Sequence, residues 1–263
     1  MTNTMTDTAV QGRILWYELL TTDMKAAEKF YTAVVGWKVS AFDQSPEPYD
    51  MWMRAGDVPV GGVMKIPDGM GFPPHWEMYV GVDKLEDAVA RIEKLKGSAL
   101  SPVIDIPTVG RMRVMKDPQG AVFAIYQPAP DAPHAPEARA ELGGVSWHEL
   151  YTTDAAAAAK FYSELFGWKE SSVMDMGPMG KYHIFKREWD LGGMMNKPKE
   201  MPAQVPPHWG LYFLVPDVAE AAERVKANGG QVLNGPMEVP DGSWIVNCMD
   251  PQGAAFSLNH RKP

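Results

Sequence analysis

The sequence predicts an α+β fold in which one module, made of two strand–helix–three-strand units, occurs twice. The first observation is an internal repeat: segment 16–23 (WYELLTTD) returns as 147–154 (WHELYTTD), 131 positions later. Asp-Pro-Gln-Gly-Ala at 117–121 also returns at 250–254, 133 positions later, so a small insertion separates two collinear copies. The second observation is that a segment with strand-like alternation is followed by one with helical periodicity, and then by further strand-like segments. This succession occurs twice within each copy.

The first unit begins with a strand over 14–20, where apolar and polar side chains alternate. A helix follows to about Val35, with Thr22 or Asp23 as its cap and Gly36 at its end. Turn residues then separate three short strands. These strands are expected near 37–42, 49–54 and 60–65.

The second unit has the same plan. A strand over 75–82 precedes a helix over 85–96, which Gly97 stops. In the second copy, Asp217 and Glu220 form a capping box for the equivalent helix. The remaining strands of the first copy are expected near 99–103, 111–116 and 121–127.

The repeat also divides the chain into segments. We expect a disordered tail over 1–11, a first module over 12–128, a linker rich in proline and alanine over 129–142, and a second module over 143–260. The 263 residues are enough for two such domains.

Composition argues against several classes of partner. The net charge is -8 and no basic run occurs, so nucleic acid is not an expected partner. No stretch approaches the roughly 18 consecutive apolar residues of a membrane helix. The single cysteine, Cys248, forms no internal disulfide. We expect a cytoplasmic protein, either monomer or homodimer, whose partner is a small molecule.

These features together resemble the vicinal oxygen chelate superfamily, which includes glyoxalase I, bleomycin-resistance proteins and extradiol dioxygenases. The resemblance rests on the paired units, the helix with Phe-Tyr that ends on Gly-Trp, and the Asp-Pro-x-Gly hairpin. It extends over both modules and is nearest to two-module bacterial glyoxalase-like proteins. It implies eight strands per module, curved into a cup with helices on the convex face and a ligand on the concave face. It does not specify one reaction, because function depends on the site.

The resemblance also implies a divalent metal, Fe, Mn, Ni or Zn, held by His, Gln or Glu from four strands. Trp16 and Trp147 stand at the first-strand ligand position, and Ala124 and Ser257 at the eighth-strand position. None of these side chains replaces the usual ligand. Of the usual ligand positions, only that of the fifth strand carries a carboxylate, Glu77 of the first copy. The usual ligand set is therefore absent from both copies, and no cofactor is predicted.

A displaced metal site formed by Glu18, His75 and Glu77 is the alternative. The competing interpretation is that these are buried polar groups, each glutamate hydrogen-bonded to its histidine. His148 lies beside a ligand position, but its parity places it under a helix. If the protein is an enzyme, Glu18 and Glu149 are the candidates for proton transfer.

Other residues of the predicted cups suit a small organic ligand. Arg113 could bind a ligand carboxylate or pair with Glu18 or Glu77, and a solvated edge position suits it equally well. Tryptophan and tyrosine side chains could stack on a flat molecule. The residues expected to contact a ligand are Trp16, Glu18, His75, Glu77, Tyr79, Arg113, Tyr126, Trp147, Glu149, His208 and Tyr212.

Three classes of function follow from this pattern. The first is binding of a small, partly aromatic or apolar molecule in a cup without the usual metal. The second is a metal-dependent lyase or dioxygenase of the glyoxalase or extradiol type, using the displaced Glu/His site. The third is a duplicated scaffold without catalysis.

Overall fold

The computed structural model describes residues 10–43, 45, 47–132 and 139–260. In the first module, two helices accompany nine strands. The helices are α1 (Met24–Val35) and α2 (Leu85–Lys94). The strands are β1 (Ile14–Thr21), β2 (Lys38–Ala41), β3 (Tyr49–Arg54), β4 (Val58–Lys65), β5 (His75–Gly81), β6 (Ser98–Ala99), β7 (Ile104–Ile106), β8 (Gly110–Lys116) and β9 (Val122–Pro128).

The second module repeats the plan with eight strands, and a short 3₁₀ turn over Gly177–Met179. Its helices are α3 (Ala155–Phe166) and α4 (Val218–Ala227). Its strands are β10 (Val145–Thr152), β11 (Lys169–Asp175), β12 (Lys181–Lys186), β13 (Asp190–Asn196), β14 (His208–Leu214), β15 (Gln231–Glu238), β16 (Trp244–Met249) and β17 (Ala255–His260).

Each module forms one mixed sheet, which confirms the predicted α+β architecture of paired units. The strand order is β2-β3-β4-β1-β5-β9-β8-β6 in the first sheet, where β7 pairs with β8, and β11-β12-β13-β10-β14-β17-β16-β15 in the second. The antiparallel β1–β5 and β10–β14 pairs join the two units of each module at the centre of the sheet.

Local chemistry fixes the first helix of each module. The Asp23 carboxylate accepts the Ala26 N–H at 3.0 Å and caps α1. Gly36 ends α1 in the left-handed region, with a φ of 88°, which glycine adopts without steric cost. Asp154 and Gly167 do the same for α3.

The segment after α2 differs from the prediction. The helix ends at Lys94, because Lys96 adopts a φ of 72° and the Gly97 N–H turns back to the Ile92 carbonyl. The strand expected over 99–103 is only Ser98–Ala99. Pro102 has no N–H to donate and interrupts the ladder, and β7 resumes pairing with β8.

The two modules share one hydrophobic core, with helices from both copies packed between the sheets. Hydrogen bonds cross between the copies in equivalent pairs. The Tyr31 hydroxyl donates to the Asp250 carboxylate at 3.2 Å, and the Tyr162 hydroxyl donates to the Asp117 carboxylate at 3.0 Å. The Asp-Pro-Gln-Gly turn of each module therefore anchors the first helix of the other.

The segments at the module boundaries are partly described. Val10 is buried and the Gln11 side chain donates to the Leu165 carbonyl at 3.1 Å, so these two residues pack against the fold although the sequence placed them in the tail. Residues 1–9, and 133–138 of the predicted linker, lie outside the described residues. Within the described ranges, none of the helices has the length and apolar character that crossing a membrane requires.

Candidate functional site

The two candidate sites lie on the face of each sheet that is turned away from the helices, and we call these faces cup 1 and cup 2. Strand alternation separates the two faces of β1. Leu19 belongs to the core under the helices, whereas Trp16 packs with Tyr79 in a separate cluster on the other face. Glu18 lies on that second face as well, beside Tyr79.

A hydrogen-bonded chain fills the centre of cup 1. Glu18 is only 7% exposed, and its Oε2 accepts the Tyr79 hydroxyl at 2.6 Å. The Tyr49 hydroxyl also bonds this carboxylate and accepts the Trp16 indole N–H at 2.8 Å. Burial raises the pKa of Glu18, and the two tyrosine bonds oppose that rise because they favour the carboxylate.

Glu77 is the second acid of cup 1. It is the direct cross-strand partner of Glu18 and is 5% exposed. Its Oε1 has no hydrogen-bond partner within the described part of the chain. Burial, with the neighbouring Glu18 carboxylate as a smaller cause, raises the pKa of Glu77 to about 8. At neutral pH this group therefore carries a proton in the free protein.

Cup 2 contains the equivalent glutamate with more donors around it. The Glu149 Oε2 accepts the Tyr212 hydroxyl at 2.5 Å and also the Tyr151 hydroxyl. Tyr182 bonds the same carboxylate and accepts the Trp147 indole N–H at 2.7 Å. Three tyrosines thus surround Glu149, where two surround its counterpart in cup 1.

Paired glycines make room for these clusters. A Cβ on Gly62 would lie 1.9 Å from the Tyr49 Oη, and a Cβ on Gly193 would lie 2.1 Å from the Tyr182 ring. Each tyrosine ring crosses its neighbouring strand through the space that the missing side chain leaves. The glycines therefore let a tyrosine from the third strand of each module reach the central glutamate.

His75 and His208 do not bond the glutamates, which corrects the expectation of Glu–His pairs. The Nδ1 atoms of His75 and His208 lie 2.9 Å from the carbonyls of Pro73 and Pro206, and each therefore donates to its carbonyl. His208 stacks on Tyr151 with ring centroids 5.3 Å apart. Burial lowers the pKa of both histidines. Both are half-buried at the start of the fifth strand of their module.

Arg113 lies outside cup 1, which corrects the expectation that it reaches the acids. Met112 and Val114 pack in the cup cluster with Tyr79, so strand alternation turns Arg113 to the opposite face. There its Nε donates to the Ser101 carbonyl at 2.8 Å. Tyr126, in contrast, packs on the cup side, and its hydroxyl donates to the Val109 carbonyl at 2.8 Å.

His148 is a buried histidine between the modules, on the helix side of its strand as its parity predicted. Its Nδ1 donates to the Leu191 carbonyl at 2.7 Å, so its Nε2 accepts the Tyr17 hydroxyl, also at 2.7 Å. Burial lowers the pKa of His148 to about 4. Tyr17 is the equivalent residue of the first copy, so the pair lies where the two central strands approach each other.

The donor groups do not fit the metal that the resemblance implies. Tryptophan, alanine and serine occupy the first- and eighth-strand positions, and both central glutamates are engaged by tyrosine hydroxyls. Among the residues that the structure describes, no three His, Cys, Asp or Glu side chains are grouped so that they could hold a metal ion. The displaced set of Glu18, His75 and Glu77 is therefore not assembled as a metal site.

Three further tyrosines that bond the central glutamates were not predicted from the sequence: Tyr49, Tyr151 and Tyr182. Tyr49 and Tyr182 are 133 positions apart, so the repeat itself marked them as an equivalent pair. Each also lies in a strand that pairs with the strand carrying the glycines. The repeat spacing and the neighbouring glycine strand together could have identified Tyr49 and Tyr182 from the sequence.

Comparisons with known proteins agree with this description of the fold. Residues 144–258 match the family model described as Glyoxalase/Bleomycin resistance protein/Dioxygenase superfamily. Residues 17–126 match the family model of the Glyoxalase-like domain. Each match falls within one of the two sheets and its helices.

Two relatives match over nearly the whole chain. The provisionally named glyoxylase CFP32 of Mycobacterium tuberculosis is 34% identical over 256 residues, which cover 94% of this chain and 94% of the relative. The Anthracycline biosynthesis protein DnrV of Streptomyces peucetius is 28% identical over 264 residues, which cover 94% and 92%.

Solved structures share the fold at low identity. The Mn(II)-bound glyoxalase from Novosphingobium aromaticivorans has a TM-score of 0.63 and 14% identity, with 96% of this chain and 82% of that chain covered. The 2,2',3-trihydroxybiphenyl 1,2-dioxygenase from Sphingomonas wittichii strain RW1 has a TM-score of 0.65 and 15% identity, with 95% and 91% covered.

Proposed function

The chain belongs to the glyoxalase/bleomycin resistance protein/dioxygenase superfamily, and we propose that it binds a small, partly aromatic or apolar organic molecule in a cup without the usual metal. One observation carries this proposal. A glutamate held by tyrosine hydroxyls occupies the centre of each cup, so its Oε2 atom already accepts a hydrogen bond from the protein.

The walls of cup 1 suit such a molecule. Trp16 and Tyr126 are half-buried in the cup cluster, so part of each ring stays available for stacking. Met51 is the cross-strand partner of Gly62, and Met64 that of Leu20, which places both methionines on the cup face. Methionine adapts its shape to apolar ligands. The cup thus combines flat aromatic surface and adaptable apolar surface around its central acids.

The names of relatives suggest which compounds to test. The Streptomyces relative is named for anthracycline biosynthesis, and anthracyclines are planar polycyclic compounds. A planar polycyclic molecule would match the aromatic walls of the cup. Anthraquinone derivatives are therefore the first class of ligand that we propose for this chain.

The test combines metal analysis with calorimetric titration of the intact protein. We expect metal content far below one equivalent after purification, and binding of a soluble anthraquinone derivative that a chelator leaves unchanged. Trp16→Ala and Trp147→Ala form a matched pair at equivalent positions. The cup that binds the compound is the one whose tryptophan variant lowers the affinity. We expect a loss of up to about tenfold, since an aromatic pair contributes about 0.5–1.5 kcal/mol.

The same measurements decide between the function classes. Stoichiometric Fe, Mn, Ni or Zn that is required for binding would contradict the proposal and favour the lyase or dioxygenase class. A metal-free protein that binds none of the compounds, and whose two variants behave alike, would favour the scaffold class.

A further inference from the structure

The two cups differ at the position beside the central glutamate. In cup 1 this position is Glu77, paired across the strands with Glu18. In cup 2 it is Gly210, paired with Glu149 in the same way. A Cβ on Gly210 would contact the Tyr151 ring at 3.9 Å, so this tyrosine lies beside the space of the missing carboxylate. Among the described residues of the two central strand pairs, only those of cup 1 therefore include two acids.

Within the described ranges, no ion pair compensates the two acids of cup 1. The ion pairs of the described residues include neither Glu18 nor Glu77. Arg113, the cation that the sequence placed nearest, bonds Ser101 on the other face of its strand. The charged group that acts on Glu77 is Glu18, which repels a second negative charge. Two buried carboxyl groups thus face one cup without a basic partner.

One of these acids has an oxygen available for a ligand. Both tyrosine bonds go to Glu18, while the Glu77 Oε1 is buried and has no partner in the described ranges. An unpaired buried acceptor costs free energy until a donor reaches it. The aromatic rings of Trp16 and Tyr126 lie on the same face, and their π-systems attract cations. A donor would satisfy this oxygen, and a cationic donor would also offset the negative charge that Glu77 gains when it releases its proton.

We propose that cup 1 is a recognition site for a protonated amine carried by an aromatic or apolar ligand, with Glu77 as the residue that pairs with the ammonium group. This inference rests on the proposed function and makes it more specific. Glu18, oriented by Tyr79 and Tyr49, supplies the second negative group beside it. Cup 2 lacks the second acid and does not share this preference.

Matched probes test the proposal directly. Titration calorimetry of the intact protein compares 2-naphthylmethylamine with 2-naphthylmethanol, which has the same ring and no charge. We expect the amine to bind at least about tenfold more tightly, as a charge-assisted hydrogen bond of 1.5–3 kcal/mol implies. Glu77→Gln should remove most of this preference, whereas Glu93→Gln, on the exposed face of α2, should preserve it.

The pH dependence gives a second measurement that needs no variant. Because Glu77 binds a proton in the free protein, pairing with an ammonium ion must release that proton. Amine affinity should therefore rise between pH 6 and 8, by about tenfold per unit at most, with close to one proton released per amine bound. A neutral ligand that accepts a hydrogen bond from protonated Glu77 would show the opposite trend.

Each outcome has a separate meaning. Equal affinities for amine and alcohol, or an amine preference that Glu77→Gln leaves intact, would overturn the ammonium site while the proposed small-molecule binding stands. Amine affinity that falls as the pH rises from 6 to 8 would also overturn it. Absence of binding by both probes would overturn the ammonium site and count against the proposed function itself.

Discussion

At the scale of single residues, Glu77 is the side chain that sets the chemistry of cup 1 apart from that of cup 2. Its carboxyl group is buried beside Glu18, and the two acids share a row across the central strands. His148 is a second buried titratable group, and it lies between the modules. Burial raises the pKa of Glu77 and lowers the pKa of His148. Each shift predicts that the stability of the fold depends on pH.

Glu77→Gln should stabilise the protein at alkaline pH. The pKa of Glu77 is about 8 in the folded protein and near 4.5 in the unfolded chain. The folded state therefore holds an extra proton between these values, and stability falls as the pH rises from 4.5 to 8. Glutamine mimics the protonated form and should recover on the order of 2–4 kcal/mol at pH 9. Urea denaturation at pH 5 and pH 9 checks this, and an equal effect at both would contradict it.

Tyr17→Phe should weaken the contact between the modules. It leaves the neutral Nε2 of His148 without its donor, at a cost of about 1–3 kcal/mol at pH 7. The wild type should also lose stability as the pH falls from 6.5 to about 4, because His148 resists protonation only when folded. Denaturation curves measure both effects. Tyr126→Phe is the control: Tyr126 is less buried, so its variant should lose less stability than Tyr17→Phe. A larger loss for Tyr126→Phe would contradict this prediction.

At the scale of elements, the glycine pair of β4 decides how closely neighbouring strands and rings approach. Gly61 faces backbone, since its Cβ would lie 2.3 Å from the Tyr17 carbonyl oxygen. Gly62 faces the far end of the Tyr49 side chain. Backbone cannot move aside without disturbing the β1–β4 ladder, whereas a ring can rotate. The two adjacent glycines therefore have different roles.

Alanine substitutions should separate these roles. We expect Gly61→Ala to destabilise the protein by about 3 kcal/mol or more and Gly62→Ala by about 1–2 kcal/mol. Gly62→Ala should also displace Tyr49 from Glu18 and change ligand binding in cup 1. Denaturation and calorimetry measure the two effects. Gly71→Ala, a position with open space around it, is the control and should change neither.

At the scale of the whole molecule, the two modules are joined by apolar packing and by hydrogen bonds. Their helices share a core, and each Asp-Pro-Gln-Gly turn accepts a tyrosine hydroxyl from the other module. Backbone contacts add to this, since the Trp37 and Trp168 indoles donate to the carbonyls of Gly143 and Gly12, both at 2.7 Å. Separation of the modules would expose large aromatic surfaces and leave buried polar groups without partners.

Cleavage between the modules should therefore leave them associated. A protease site inserted within 133–138 would allow the chain to be cut after folding. We expect the two fragments to elute together in size-exclusion chromatography and to unfold in a single transition, because the shared core lies outside the linker. An insertion of equal length without the recognition sequence is the control. Fragments that elute separately in native buffer would contradict a shared core.

The sequence by itself determined the duplication, the order of the elements apart from β7, and the faces of the central strands. These follow from local patterns: cap and stop residues fix the helices, and alternation assigns Trp16 and Glu18 to one face. It also showed that tryptophan, alanine and serine replace the usual metal ligands. Such information is local, because each choice depends on residues close in the chain.

Only the tertiary structure decided which polar groups meet. Tyr49 reaches Glu18 across β4 through the space at Gly62, and Tyr31 bonds Asp250 of the other module. Strand pairing and module packing bring these residues together from distant positions in the chain. A local sequence pattern does not predict such long-range contacts. The sequence thus identified both cups and their glutamates, while the partners of those glutamates and the unpaired oxygen of Glu77 depended on the three-dimensional fold.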